Sequence, residues 1–122
     1  MSKTILVVDD SASMRQVVAI ALKSASFEVF EAGSGEEALA FLDGRRVNLI
    51  ISDVNMPGID GITLVQEVKK RPAYKFTPVM MLTTESQPEA IERGRQAGAK
   101  AWMIKPFKPD EMLTTISRII TA

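Results

Sequence analysis

Five short apolar runs, Ile5–Val8, Phe27–Phe30, Leu49–Ile51, Val79–Leu82 and Ala101–Ile104, alternate with stretches whose apolar residues recur at helical spacing. No other feature restricts the fold so strongly. A strand, a helix and a second strand of the same sheet form a right-handed crossover, and repeating that unit builds a parallel sheet. Four of the runs are nearly continuous in apolar residues, as strands covered on both faces require. The second, FEVFEA, alternates and suits an edge strand. Between the runs, Met14, Val17, Val18, Ala21, Leu22 and Ala25 form one stripe, and Ala38, Leu39, Phe41 and Leu42 form the next. Ile62, Val65 and Val68 make a third, and Met112, Leu113, Ile116, Ile119 and Ile120 the last. Glu89–Ala97 is weaker, offering a core only Ala90, Ile91, Gly94 and Ala97. Pro72 to Pro78 reads as a loop. The expectation is one α/β domain over residues 1–122, a doubly wound parallel sheet in a three-layer sandwich.

Composition removes several chemistries. The 122 residues are 46% hydrophobic and 25% charged, within the range of a globular domain. Fifteen basic residues balance fifteen acidic ones, so nucleic acid and membrane surfaces are not expected partners. No apolar run is long enough to span a bilayer, and MSKTILVVDD lacks the pattern of a secretory signal, so a cytoplasmic location is expected. Cysteine and histidine are both absent, which excludes thiol chemistry, Cys-ligated zinc and imidazole bases. Carboxylates, hydroxyls and amines remain.

Those groups collect where the strands end. In an open parallel sheet the ligand site lies beyond the carboxyl ends of the strands. Asp9 and Asp10 follow the first run, Asp53 the third, Thr83-Thr84 the fourth and Lys105-Pro106 the fifth. Singly, each has an ordinary explanation; Asp10 or Ser11 could simply cap a helix. Together, three carboxylates in one crevice repel one another, with Lys105 as the expected internal cation. Oxygen ligands without His or Cys favour Mg²⁺ or Mn²⁺. An aspartate beside such a cation, with Lys105 and Thr83 to meet phosphoryl oxygens, is arranged to become an acyl phosphate. Asp53, set between a buried strand and the turn Asn55-Met56-Pro57-Gly58, is the candidate nucleophile.

VVDDS at 7–11, SDVNMPGIDG at 52–61, MLTTES at 81–86 and MIKPF at 103–107 resemble the receiver domain of bacterial two-component response regulators. The likeness spans essentially the whole chain, and LTTES without an output domain is similar to the stand-alone, CheY-like chemotaxis branch. It implies a flavodoxin-like fold with strand order 2-1-3-4-5. It implies that Asp53 accepts a phosphoryl group from a sensor histidine kinase of the CheA type. Mg²⁺ would be held by Asp9, Asp10, Asp53 and the backbone carbonyl of Asn55. Lys105 and Thr83 would bind phosphoryl oxygens, and Asn55 and Glu85 would tune dephosphorylation. In the family Thr83 moves toward the phosphate while an aromatic three places before the lysine turns inward. That aromatic is usually Tyr or Phe; here it is Trp102. Strand alternation points Trp102 away from the site and toward the fourth helix, partly exposed. The resemblance also implies a monomer that signals through its fourth helix, fifth strand and fifth helix to a flagellar motor switch protein or a phosphatase.

Rival readings stay open. GSGEEA at 33–38 matches a dinucleotide fingerprint but follows the second strand, and Ser34 with Glu37 forms a capping box instead. A Mg²⁺-dependent phosphatase of the haloacid dehalogenase type would also use an Asp nucleophile. It would need a second Asp where Asn55 stands, and its nucleophile normally follows the first strand. A third reading is a phosphate-sink receiver with no motor target.

Overall fold

The computed structural model describes residues 3–120. The elements are β1 (Thr4–Val8), α1 (Ala12–Ser24), β2 (Glu28–Ala32), α2 (Gly35–Phe41), β3 (Leu49–Ser52) and α3 (Gly61–Lys70). A 3-10 turn at Pro72–Tyr74 precedes β4 (Val79–Thr83), α4 (Pro88–Ala97), β5 (Ala101–Ile104) and α5 (Pro109–Ile119). All strand pairs are parallel, in the order β2-β1-β3-β4-β5. This is the expected doubly wound sandwich, with the alternating run FEVFEA at an edge.

Residue parity builds the three layers. Along β1, Leu6 and Val8 face a core shared with Ala38, Leu42, Leu64 and Val68, while Ile5 and Val7 face one shared with Val18, Leu22, Met112 and Ile116. Thus α2, α3 and α4 cover one face, and α1 and α5 the other. Each fully buried aliphatic side chain of this kind contributes about 1.5–3 kcal/mol. Trp102 joins the α2–α3 face, and its strand neighbours Ala101 and Met103 join the other.

Several boundaries and faces differ from expectation. β2 starts one residue later than Phe27 and runs on to Ala32, because the Phe27 N–H bonds back to Leu22 in closing α1. β5 is an edge strand only half-buried on either face, and Ile104 at its end is 39% exposed. Val17 does not belong to the buried stripe of α1, being 52% exposed, whereas Ala19 is buried beside Val18 and Leu22. Pro72–Pro78 is more than a loop, since its 3-10 turn buries Tyr74, whose hydroxyl donates to the Arg45 carbonyl at 2.7 Å. Tyr favours such a site because its ring is apolar while its hydroxyl needs a partner. Among the described residues, no helix is long and apolar enough to cross a membrane.

Candidate functional site

The sheet's ladder places the acids. The Asp9 N–H donates to Ala32 at 3.1 Å and the Asp53 N–H to Val8 at 3.0 Å, so both residues extend their strands at equal depth. Asp9 then turns the chain: its Oδ1 accepts the Ser11 N–H at 2.9 Å, and Ser11 caps α1 by accepting the Met14 N–H at 3.3 Å. Ser11 is therefore the cap, and Asp10 lies exposed between them. One carboxylate oxygen from each of Asp9, Asp10 and Asp53 lies within 4.8 Å of the others.

Asp53 is held from behind. Its Oδ1 accepts the Val54 N–H at 2.7 Å, and its backbone carbonyl accepts the Ser52 hydroxyl at 2.8 Å. The first residue of α3 abuts that backbone so closely that a Cβ on Gly61 would sit 2.1 Å from the Asp53 carbonyl oxygen. Glycine there lets α3 begin directly against the site. Glu36, in the first turn of α2, accepts the Ile59 N–H at 3.3 Å and thereby steadies the loop that carries Asn55. Asn55 itself is exposed.

Lys105 closes the cluster from the far strand. Its N–H continues the β4–β5 ladder to Thr83, a cis bond joins it to Pro106, and its Nζ donates to Asp9 Oδ2 at 2.7 Å and Asp53 Oδ2 at 3.4 Å. The three side chains are only 10%, 6% and 14% exposed. An ion pair this sheltered is screened weakly, and removing one partner is costly. The sequence reading missed a second cation. Arg15, one turn into α1, donates from Nη1 to the Asp9 carbonyl at 2.6 Å and from Nε to Glu31 at 3.3 Å. Its place six residues after Asp9 was the available signal; its link to the end of β2 was not.

Thr83 is fully buried, and its hydroxyl accepts the Glu85 N–H at 3.1 Å. The carbonyl of the same Glu85 accepts the indole N–H of Trp102 at 2.9 Å. One backbone unit of the β4–α4 loop is thus held from below by Thr83 and from the side by Trp102. The indole rests in a notch of α4, where a Cβ on Gly94 would fall 2.6 Å from its ring. Trp102 therefore faces α4, as strand alternation predicts. Glu85 turns its own carboxylate to the Gln87 N–H at 3.2 Å.

The capping box of α2 is present in modified form. Ser34 accepts the Glu37 N–H at 3.0 Å, while the Glu37 carboxylate accepts from Gly33 rather than from Ser34. The stretch is accounted for without a dinucleotide.

These oxygens fit a hard divalent cation: three carboxylates converge, one of them exposed, with no nitrogen or sulfur donor among them.

The family model of the response regulator receiver domain matches residues 5–117. The phosphate regulon transcriptional regulatory protein PhoB of Pseudomonas aeruginosa is 34% identical over 118 residues, 97% of this chain and 52% of PhoB. This chain thus spans about half of that relative's length. The two-component response regulator ORR3 of rice (Oryza sativa) is 35% identical over 117 residues, covering 95% of this chain and 89% of ORR3. Among solved structures, the chemotaxis protein CheY4 of Vibrio cholerae superposes with a TM-score of 0.94 at 45% identity, covering 98% of this chain and 100% of that one.

Proposed function

The chain belongs to the response regulator receiver domain family, and on that premise we propose that Asp53 is its phosphoryl acceptor. Receiver domains of two-component systems are phosphorylation-dependent signalling modules that bind Mg²⁺ through an acidic pocket. One observation carries the assignment to these residues. The carboxylates of Asp9, Asp10 and Asp53 converge within 4.8 Å, under a lysine bonded to two of them.

Asp9, Asp10, Asp53 and the Asn55 carbonyl would hold Mg²⁺, which when bound supplies positive charge to phosphoryl oxygens. An Asp53 carboxylate oxygen attacks the phosphorus of a kinase phosphohistidine. The O–P bond forms as the P–N bond breaks, and the leaving imidazole nitrogen takes a proton from solvent. Lys105 moves its positive charge from the Asp9–Asp53 pair to the new phosphoryl group. Asn55 and Glu85, at the mouth of the site, set access for hydrolytic water. No second substrate is turned over.

The switch follows from the bonds around Glu85. When the Thr83 hydroxyl turns to donate to the phosphoryl group, the Glu85 N–H loses its acceptor. The loop ahead of α4 then keeps its tie to β5 through the Trp102 indole, and the indole and α4 readjust together. The α4–β5–α5 face is the output surface of this reading. The likeness to CheY4 favours chemotaxis, with a CheA-type cytoplasmic kinase upstream and a flagellar motor switch protein or a phosphatase downstream.

Incubation with Mg²⁺ and acetyl phosphate should add one phosphoryl group to the intact mass, and hydroxylamine should remove it. Equal labelling of Asp53→Ala would overturn the assignment.

A further inference from the structure

The formal net charge of zero conceals a segregation by position. Because all strands are parallel, every helix starts at the carboxyl end of the sheet and returns to the opposite end. Acids occupy the first turns of α2, α4 and α5, and bases the last turns of α1, α3, α4 and α5. Helix dipoles favour that arrangement. They explain the helix ends and nothing beyond them.

The loops at the far end from Asp53 add charge that no dipole requires. The α2–β3 connection carries Arg45 and Arg46 against Asp43, and the α3–β4 connection carries Arg71 and Lys75 with no acid. Some nearby bases are already committed. Lys70 pairs with Glu67 at 3.0 Å, and Lys69 donates to the Thr77 carbonyl, burial pushing its ammonium below the ordinary lysine value. Tyr74 fastens one loop to the other through the Arg45 carbonyl, and Arg71 fastens its end to α2 through the Leu39 carbonyl at 2.8 Å. The two loops form a fixed platform. Between them runs a groove of about 300 Å³ walled by Val47, Pro72, Ala73, Phe76 and Pro78, with Asn48 and Thr77 as its polar members. Phe76 is 88% exposed, with the Lys75 ammonium 5.6 Å from its ring centroid.

An aromatic this exposed buries little of its ring in the free fold, so covering its apolar surface is favourable. We propose that this groove docks an acidic segment of a partner protein, which seats one apolar side chain against Phe76 while its carboxylates meet Arg46 and Lys75, the Arg45 guanidinium being stacked 4.8 Å over the Phe41 ring of α2. Charge complementarity selects the occupant, since no acid lines the groove and the residues next to its walls in the chain, Arg46 beside Val47 and Lys75 beside Phe76, are basic. The groove's volume suits one or two side chains, where a bilayer surface would leave it unfilled. A nucleic acid would need a longer track of phosphate contacts than this short rim offers. The surface lies at the end of the sheet opposite Asp53, so the inference stands apart from the phosphoryl-acceptor reading.

The probe is a fluorescein-labelled peptide alternating Asp and Glu with Leu, followed by anisotropy and by amide shifts of the labelled protein. Shifts should fall at residues 45–48 and 72–78, and affinity should weaken as salt rises. Phe76→Ala and Lys75→Glu should each weaken binding about tenfold, with Phe76→Ala melting as the wild type does. Asp53→Ala should bind the peptide unchanged. Shifts on other elements, undiminished binding by Phe76→Ala, or equal binding of the peptide with Lys in place of its acids would overturn the proposal. So would tighter binding of single-stranded DNA or phosphatidylglycerol vesicles to the same residues. Concentration-dependent shifts without peptide would assign the groove to a second copy of this chain instead.

Discussion

Replacing Gly94 by Ala asks how firmly α4 is held by Trp102. Alanine is the better helix former, so at an ordinary helix-interior site the change would stabilise by about 1 kcal/mol. Here the new Cβ would lie 2.6 Å from one ring carbon of Trp102 and 3.1 Å from another. The indole cannot simply swing aside, because its N–H is held by the Glu85 carbonyl at 2.9 Å. Overpacking of this kind costs about 1–3 kcal/mol, and losing the indole hydrogen bond costs about 1 more. Set against the helix gain, the net destabilisation is about 1–3 kcal/mol. At about 4 °C per kcal/mol for a domain of this size, the Tm should fall by roughly 4–12 °C. Circular dichroism measures the melt, and emission from the only Trp reports displacement of the ring. In the background of Trp102→Leu the same glycine change should become neutral or stabilising, and the double-mutant cycle isolates the contact. A Gly94→Ala protein that melts at or above the wild type with unshifted emission would refute the notch as a constraint.

Asp10→Asn should stabilise the protein in chelator by about 1 kcal/mol or less, because Asp10 is exposed, raising the Tm by at most about 4 °C, while Mg²⁺ should stabilise the wild type by binding linkage; a lowered Tm in chelator would show that the three acids do not repel. Lys105→Met should destabilise by about 3 kcal/mol, since it strands the buried Asp9 carboxylate, and urea unfolding would show it; a loss below about 1 kcal/mol would mean that Arg15 already balances the site. Trp102 emission should shift and lose iodide quenching when Mg²⁺ and beryllofluoride are added, and an unchanged spectrum with Asp53 modified would make the indole a static packing residue.

Much of the architecture was legible in the chain because strand and helix write different periods. A run such as Leu49–Ile51 is buried on both faces, and one such as Glu28–Ala32, which mixes charged with apolar residues, lies largely exposed at an edge. Once those strands are parallel, whatever follows each of them meets at one end of the sheet. The gathering of Asp9, Asp53, Thr83 and Lys105 is thus a consequence of topology that local pattern can announce. β5 escaped this logic. Its apolar residues look like those of a central strand, and only its place beside β4 alone decided that Ile104 would be exposed.

What the chain could not specify alone are quantities that depend on which groups approach from elsewhere. Asp9 and Asp10 are neighbours of identical chemistry and converge on one cluster, yet Asp9 is buried under Lys105 while Asp10 stays exposed, because only Asp9 meets the lysine that β5 brings in. Arg15 and Tyr74 look like ordinary surface residues until β2 and the α2–β3 loop bring them Glu31 and the Arg45 carbonyl. Charge shows the difference most plainly. A sum of fifteen bases and fifteen acids carries no positions, so the sequence reads as neutral. Crossover topology then sends the acid-rich helix starts to one end and the base-rich returns to the other. Electrostatic potential depends on distance as well as on charge, and distance is what folding supplies.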